Sequence, residues 1–235
     1  ILAVASSLIA NNENRVGKTL KTTLNEGELV KLNCYKNGKD EAIGISDEIE
    51  KIKKEYSYNN ITILVRAIFQ TREFEERFLK IGLPYRILGG IKFYERAEIK
   101  DCVAYLRLVY QEKDDLAFER IVNNPKRSIG DSTLKSIHEF AKNQKDCLEI
   151  SSRKMIEENL IKPKAKIGLT SFLDLISKWR NDLTIKKVGH VKLLQTILDE
   201  SGYSAILKNK KDLENENRLE NLKELLSAMK EFDNL

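Results

Sequence analysis

From Lys113 to Leu235 the apolar residues recur at helical spacing, and no stretch of strand alternation interrupts them, so more than half of this chain is committed to helices. The helical patterns cover Asp115 to Asn123, Ser132 to Ala141, Leu148 to Leu160, Thr170 to Arg180, Val191 to Ser201 and Arg218 to Phe232, with Lys208 to Arg218 the most linker-like stretch. The first half reads differently. Ile1 to Ala10 is an apolar helical stretch, Leu29 to Tyr35 has strand character, and Ile43 to Glu55 carries Ile45, Ile49 and Ile52 at helical spacing. Ile61 to Val65 is an almost continuous apolar run, the pattern of a strand buried on both faces. A helix follows from Thr71 to Ile81, stopped by Gly82 and Pro84; a short strand, Tyr85 to Leu88, stopped by Gly89 and Gly90, leads to a helix from Ala97 to Tyr110. Strand, helix, strand, helix is βαβ order. The fold expected is therefore α/β plus all-α, with a partial parallel sheet in residues 1–112 and a helical domain in residues 113–235. Charge does not mark that boundary, since the halves hold 18 basic with 16 acidic and 23 basic with 20 acidic side chains.

A hydrophobic share of 41% is enough to build a core, and a net charge of +5 is compatible with nucleic acid without diagnosing it. No apolar run approaches the roughly 20 residues of a membrane span, so a soluble, cytoplasmic protein without membrane contact is expected. Cys34, Cys102 and Cys147 lack CxxC spacing, and His138 and His190 are the only histidines, which leaves no usual metal-ligand set. The string VGKT at Val16 to Thr19 resembles the end of a phosphate-binding loop, but Asn12 stands where that loop needs its first glycine, and a helix rather than a buried strand precedes it. No catalytic constellation emerges: Cys102 reads as core, the histidines lack spaced partners, and Glu73, Glu75 and Glu76 share a helix with Arg72 and Arg77 as a solvated face would.

Two segments carry chemistry. In Pro84 to Asp101, PYRILGGIKFYERAEIKD, paired glycines are followed by Lys92, Phe93, Tyr94 and Arg96, and basic groups beside aromatic faces suit the phosphates and bases of a single strand. In Asn124 to Thr133, NPKRSIGDST, Lys126 and Arg127 precede a helix start that Asp131 or Ser132 can cap. Amides at such a start, flanked by basic side chains, can grip a duplex phosphate without reading sequence. The plain alternatives are a turn with core aromatics and an ordinary capped turn.

These blocks, together with ITILVRAIFQTREFEERFLKIG, DDLAFERIVNNPKRSIGDSTL and RLENLKELLSAMKEF, resemble the UvrD/Rep/PcrA family of superfamily 1 DNA helicases along essentially the whole chain. In that family the PYRI.GG..F..R.EIKD block belongs to the second RecA-like domain, 2A, and the helical insertion after it is 2B. The resemblance implies that residues 1–112 are the N-terminal part of 2A and residues 113–235 the 2B insertion. The family's ATP-binding loop and Mg-binding carboxylates would lie outside this chain, so ATP and Mg are expected in the parent protein and neither on this fragment, which by itself should be catalytically inactive.

The resemblance places Lys92 and Phe93 beside the translocating single strand, with Arg66 and Arg96 similar in kind. It matches Lys126, Arg127, Ser128, Ile129 and Gly130 to the loop that contacts duplex backbone. Ser128 stands where the family commonly has glycine. The implied parent is an ATP-dependent helicase moving 3′ to 5′ on DNA in repair or replication restart, with single strand and junction as partners and repair proteins as possible partners of 2B. A non-catalytic nucleic-acid or protein-binding module and a helicase-nuclease subunit are the rival readings. An insertion must leave and rejoin its host at nearby points, so Glu112 and Leu235 are expected within about 15 Å.

Overall fold

The computed structural model describes residues 1–12, 21–23, 27–88, 90–209 and 213–232. The VGKT string and Leu235 lie outside these, as does the Glu112 to Leu235 separation. Eleven α-helices and three short 3-10 turns make up the regular structure of the described residues. The first three helices are α1 (Leu2–Ile9), α2 (Gly38–Ile52) and α3 (Thr71–Ile81). Asn37 starts α2 by accepting the Asp40 amide at 2.8 Å. Gly82 ends α3 at φ 69°, where a Cβ would be strained, and the Leu83 amide then reaches back to the Phe78 carbonyl at 2.9 Å. Ile45 and Ile49 of α2 meet Phe74 and Phe78 of α3 in a small core that also takes in Ile61, Ile63, Leu83 and Tyr85.

The remaining helices are α4 (Ala97–Tyr110), α5 (Asp115–Ile121), α6 (Asp131–Gln144), α7 (Leu148–Glu157), α8 (Pro163–Thr184), α9 (His190–Glu200), α10 (Tyr203–Asn209) and α11 (Leu213–Met229). They enclose the larger core, which runs from Phe93 to Met229 and has Tyr105, Phe118, Phe172 and Trp179 at its centre. Pro163 opens α8, where its missing N–H costs nothing. Helix α11 returns the chain to its earlier part and packs against α4, α9 and the 3-10 turn at Ile68–Gln70.

The parallel sheet expected in residues 1–112 is not formed, for the described residues contain no strand. The helical half of the expectation stands, but the α/β half is corrected to helices joined by extended connections. Ile61 has extended dihedrals (φ −108°, ψ 129°), yet segments 29–35, 61–65 and 85–88 have no ladder partner. Local sequence sets an extended conformation, whereas a strand is a property of a pair, and a parallel pair needs a second segment brought alongside. The run at 61–65 is covered on one face only. Ile61 and Ile63 lie on the small core, while Leu64 is 90% exposed.

Candidate nucleic-acid interface

The glycine-containing connection after Tyr85 ends in a 3-10 turn, Phe93–Glu95, immediately before α4. Lys92 is exposed, with its Nζ 5.3 Å from the Tyr85 ring centre. Phe93 is fully buried, and its amide donates to the two carboxylate oxygens of Glu75 at 3.2 and 3.1 Å. Arg96 also points inward. Its guanidinium donates to Asn221 Oδ1 (2.7 Å), the Ile68 carbonyl (3.0 Å), Thr71 Oγ1 (3.0 Å) and the Ile91 carbonyl (3.3 Å), and lies 5.0 Å from the Phe93 ring. Burial holds its pKa below the ordinary arginine value. Of the four single-strand candidates, Lys92 and Arg66 are therefore on the surface, while Phe93 and Arg96 build the turn from beneath. The exposed ring is that of Tyr94, whose hydroxyl donates to Glu76 Oε1 at 2.6 Å. Sequence order did not separate Phe93 from Tyr94, because adjacent aromatics in a 3-10 turn differ only in the direction they face.

The second segment joins α5 to α6 through a cis Asn124–Pro125 peptide. Asn123 Oδ1 accepts the amides of Arg127 (2.7 Å) and Ile129 (3.3 Å), and Ile129 is 1% exposed. Lys126, Ser128 and Gly130 are exposed, and Lys126 has no ion-pair partner among the described residues. Ser128 has φ 61°, in the left-handed region that favours glycine. No side chain caps α6; its first turn opens on Gly130, whose carbonyl accepts from Thr133 and Leu134, so the earliest amides have no intrahelical partner. That is the arrangement in which a helix start favours an anion.

Asp101 joins the two segments. Its carboxylate accepts from Arg120 Nε, Asn124 Nδ2 and Tyr203 Oη, each at 2.7 Å. The aspartate that closes the first sequence block thus anchors the asparagine that opens the second. Burial and this carboxylate push the Tyr203 phenol up, and burial pushes the Cys102 thiol up, which leaves Cys102 an unreactive core residue.

In outline this is a helical module with two lysine-tipped turns, each braced by an arginine. Over its whole length, residues 1–235, the sequence matches the family model of the UvrD-like helicase C-terminal domain, and the chain belongs to that family. It is 42% identical over 237 aligned positions to a probable DNA helicase II homolog of Rickettsia felis, a match covering 100% of this chain and 36% of that protein. It is 36% identical over 233 positions to DNA helicase II of Escherichia coli, covering 99% of this chain and 32% of that protein. With the ATP-dependent DNA helicase PcrA of Bacillus subtilis it shares 36% identity over 237 positions, 99% of this chain and 31% of that protein. The chain thus spans about a third of the length of these curated relatives. No helix of the described residues is long and apolar enough to cross a membrane.

Proposed function

We propose that this chain supplies DNA-contacting surfaces of an ATP-dependent DNA helicase that moves 3′ to 5′ in repair or replication restart. The observation that carries the reading is the exposed Lys126, without an ion-pair partner among the described residues, four residues ahead of Gly130 at the uncapped start of the 14-residue α6, whose first turn also holds the exposed Asp131. A cation and a set of unpartnered amides at one helix start suit a phosphate and carry no base information. The other turn serves the single strand, with Lys92 and Arg66 toward phosphates and the Tyr94 ring available for a base. Phe93 and Arg96 hold that turn in place. ATP and Mg belong in this proposal to the parent helicase as a whole; among the described residues no group of three or more His, Cys, Asp or Glu side chains is placed to hold a metal ion.

The test is a pair of substitutions in this chain, read by anisotropy against a single-stranded oligonucleotide and a blunt duplex over a salt series. Lys126→Ala is expected to weaken duplex binding by roughly tenfold, with the salt slope falling by about one. Lys92→Ala is expected to weaken single-strand binding by a similar factor. Equal effects of both variants on both substrates would end this division of roles.

A further inference from the structure

Arg127 belongs by position to the proposed duplex loop, yet its guanidinium is directed into the protein. One terminal nitrogen donates to the carbonyls of Ile121 (2.9 Å), Val122 (3.1 Å) and Pro125 (3.1 Å), and the other donates to Tyr105 Oη (2.9 Å). The guanidinium carbon lies 4.8 Å from the centre of the Phe172 ring on α8. Tyr105 passes the connection on, since its hydroxyl donates to the Asn124 carbonyl at 2.6 Å. On the α8 side, a Cβ on Gly168 would fall inside van der Waals contact of the Arg127 carbonyl oxygen, so the loop backbone sits directly on that helix.

Resting on the reading of the 126–130 loop as a duplex contact, we propose that Arg127 is a positioning residue. It folds the loop over its own carbonyls and fixes it to α4 and α8, and Lys126 and the first amides of α6 then meet the phosphates. A planar fork with donors in fixed directions can join carbonyls and a hydroxyl while lying flat on a ring; a lysine ammonium cannot. This separates positioning from direct contact. A phosphate contact needs the charge, which lysine keeps; a positioning role needs the fork, which lysine lacks.

The experiment compares Arg127→Lys, Tyr105→Phe and Lys126→Ala in this chain, measuring duplex and single-strand affinity, salt slope, and amide hydrogen exchange over residues 123–130. Arg127→Lys is expected to lose roughly tenfold in duplex affinity and less than twofold in single-strand affinity, with faster exchange confined to the loop. Tyr105→Phe changes no charge and stands away from the proposed contact. It is expected to lose about threefold in duplex affinity with an unchanged salt slope, and it carries the test if Arg127→Lys does not fold. Duplex affinity and loop protection both retained in Arg127→Lys, or in Tyr105→Phe should that variant alone fold, would overturn the positioning role. If Lys126→Ala leaves duplex binding unchanged while the arginine and tyrosine variants still loosen the loop, the duplex reading falls and the bracing of the loop stands.

Discussion

At residues 90–96 and again at residues 124–130, an exposed lysine (Lys92, Lys126) sits beside a buried apolar side chain (Phe93, Ile129) and an inward-turned arginine (Arg96, Arg127). The difference lies in how far each arginine reaches. Arg127 bonds carbonyls two to six residues away and a tyrosine on the neighbouring α4. Arg96 bonds Asn221 of α11, 125 residues along the chain, and Asn221 in turn donates to buried Glu98 at 2.6 Å. Alongside it, Arg72 of α3 reaches Glu224 of α11 at 2.5 Å. One turn is braced on itself and on the helices of its own core, α4 and α8, while the other ties the small core to the large one. The same residue types therefore set a local shape in one place and the global packing in the other.

Arg96→Ala is the strongest way to break this comparison. It removes a buried cation from its hydrogen-bonded seat and leaves Asn221 Oδ1, Thr71 Oγ1 and the Ile68 and Ile91 carbonyls to be satisfied by rearrangement. A loss of about 3 kcal/mol in urea unfolding is expected, with exchange accelerated across α11 and the 68–71 turn. Arg127→Lys should accelerate exchange only near its loop. If Arg96→Ala cost under about 1 kcal/mol, or if its exchange effects stayed within residues 90–96, the long-range role would be lost.

Tyr203→Phe sharpens the comparison at the joint between the turns. The ring still fills its place, but Asp101 keeps only Arg120 and Asn124 as donors. A cost of about 1 to 2 kcal/mol is expected, with a small loosening around Asn124 and none at Lys92. Unchanged exchange at residues 123–125 would show that Asp101 does not connect the α10 packing to the loop.

The helices with strong local signals were legible in the sequence. Thr71–Ile81 and Ala97–Tyr110 fall where periodicity, Gly82 and Pro84 place them. Helix α8 begins seven residues ahead of the expected Thr170, although Pro163 is a start signal of the kind that marks a first turn. Helix α10 (Tyr203–Asn209) is too short for its periodicity to stand out, and α11 begins at Leu213, inside the polar stretch expected to be a linker. The expected strands fail for a different reason: β-branched content at 61–65 reports an extended preference and says nothing about a partner. At the candidate site, residue type picked out both segments but not which side chains face out. Arg and Lys look alike in a list of basic residues, yet the guanidinium's fork lets Arg96 and Arg127 be held inside, whereas Lys92 and Lys126 stay exposed. Ile129 and Phe93 carry ordinary core signals that the resemblance to a DNA-binding block overrode.

The smallest expected effect concerns Ser128, at the exposed tip of the locally braced turn. An L-residue in the left-handed region gives up roughly 1 to 2 kcal/mol relative to its preferred conformations, a cost glycine avoids. Glycine gains freedom in the unfolded chain, which returns about 0.5 to 1 kcal/mol of that advantage. Ser128 has φ 61° and an exposed side chain, so no packing is lost on its removal. The balance favours Ser128→Gly by about 0.5 kcal/mol, a rise of roughly 1 to 2 °C in the thermal midpoint. A locally braced loop should confine the change to its own residues: slower exchange at 127–130, unchanged exchange at 90–96, and unchanged single-strand affinity. The positive φ at 128 is incompatible with a net penalty for glycine, so a lower midpoint for Ser128→Gly would mean that the loop does not hold this backbone conformation in solution.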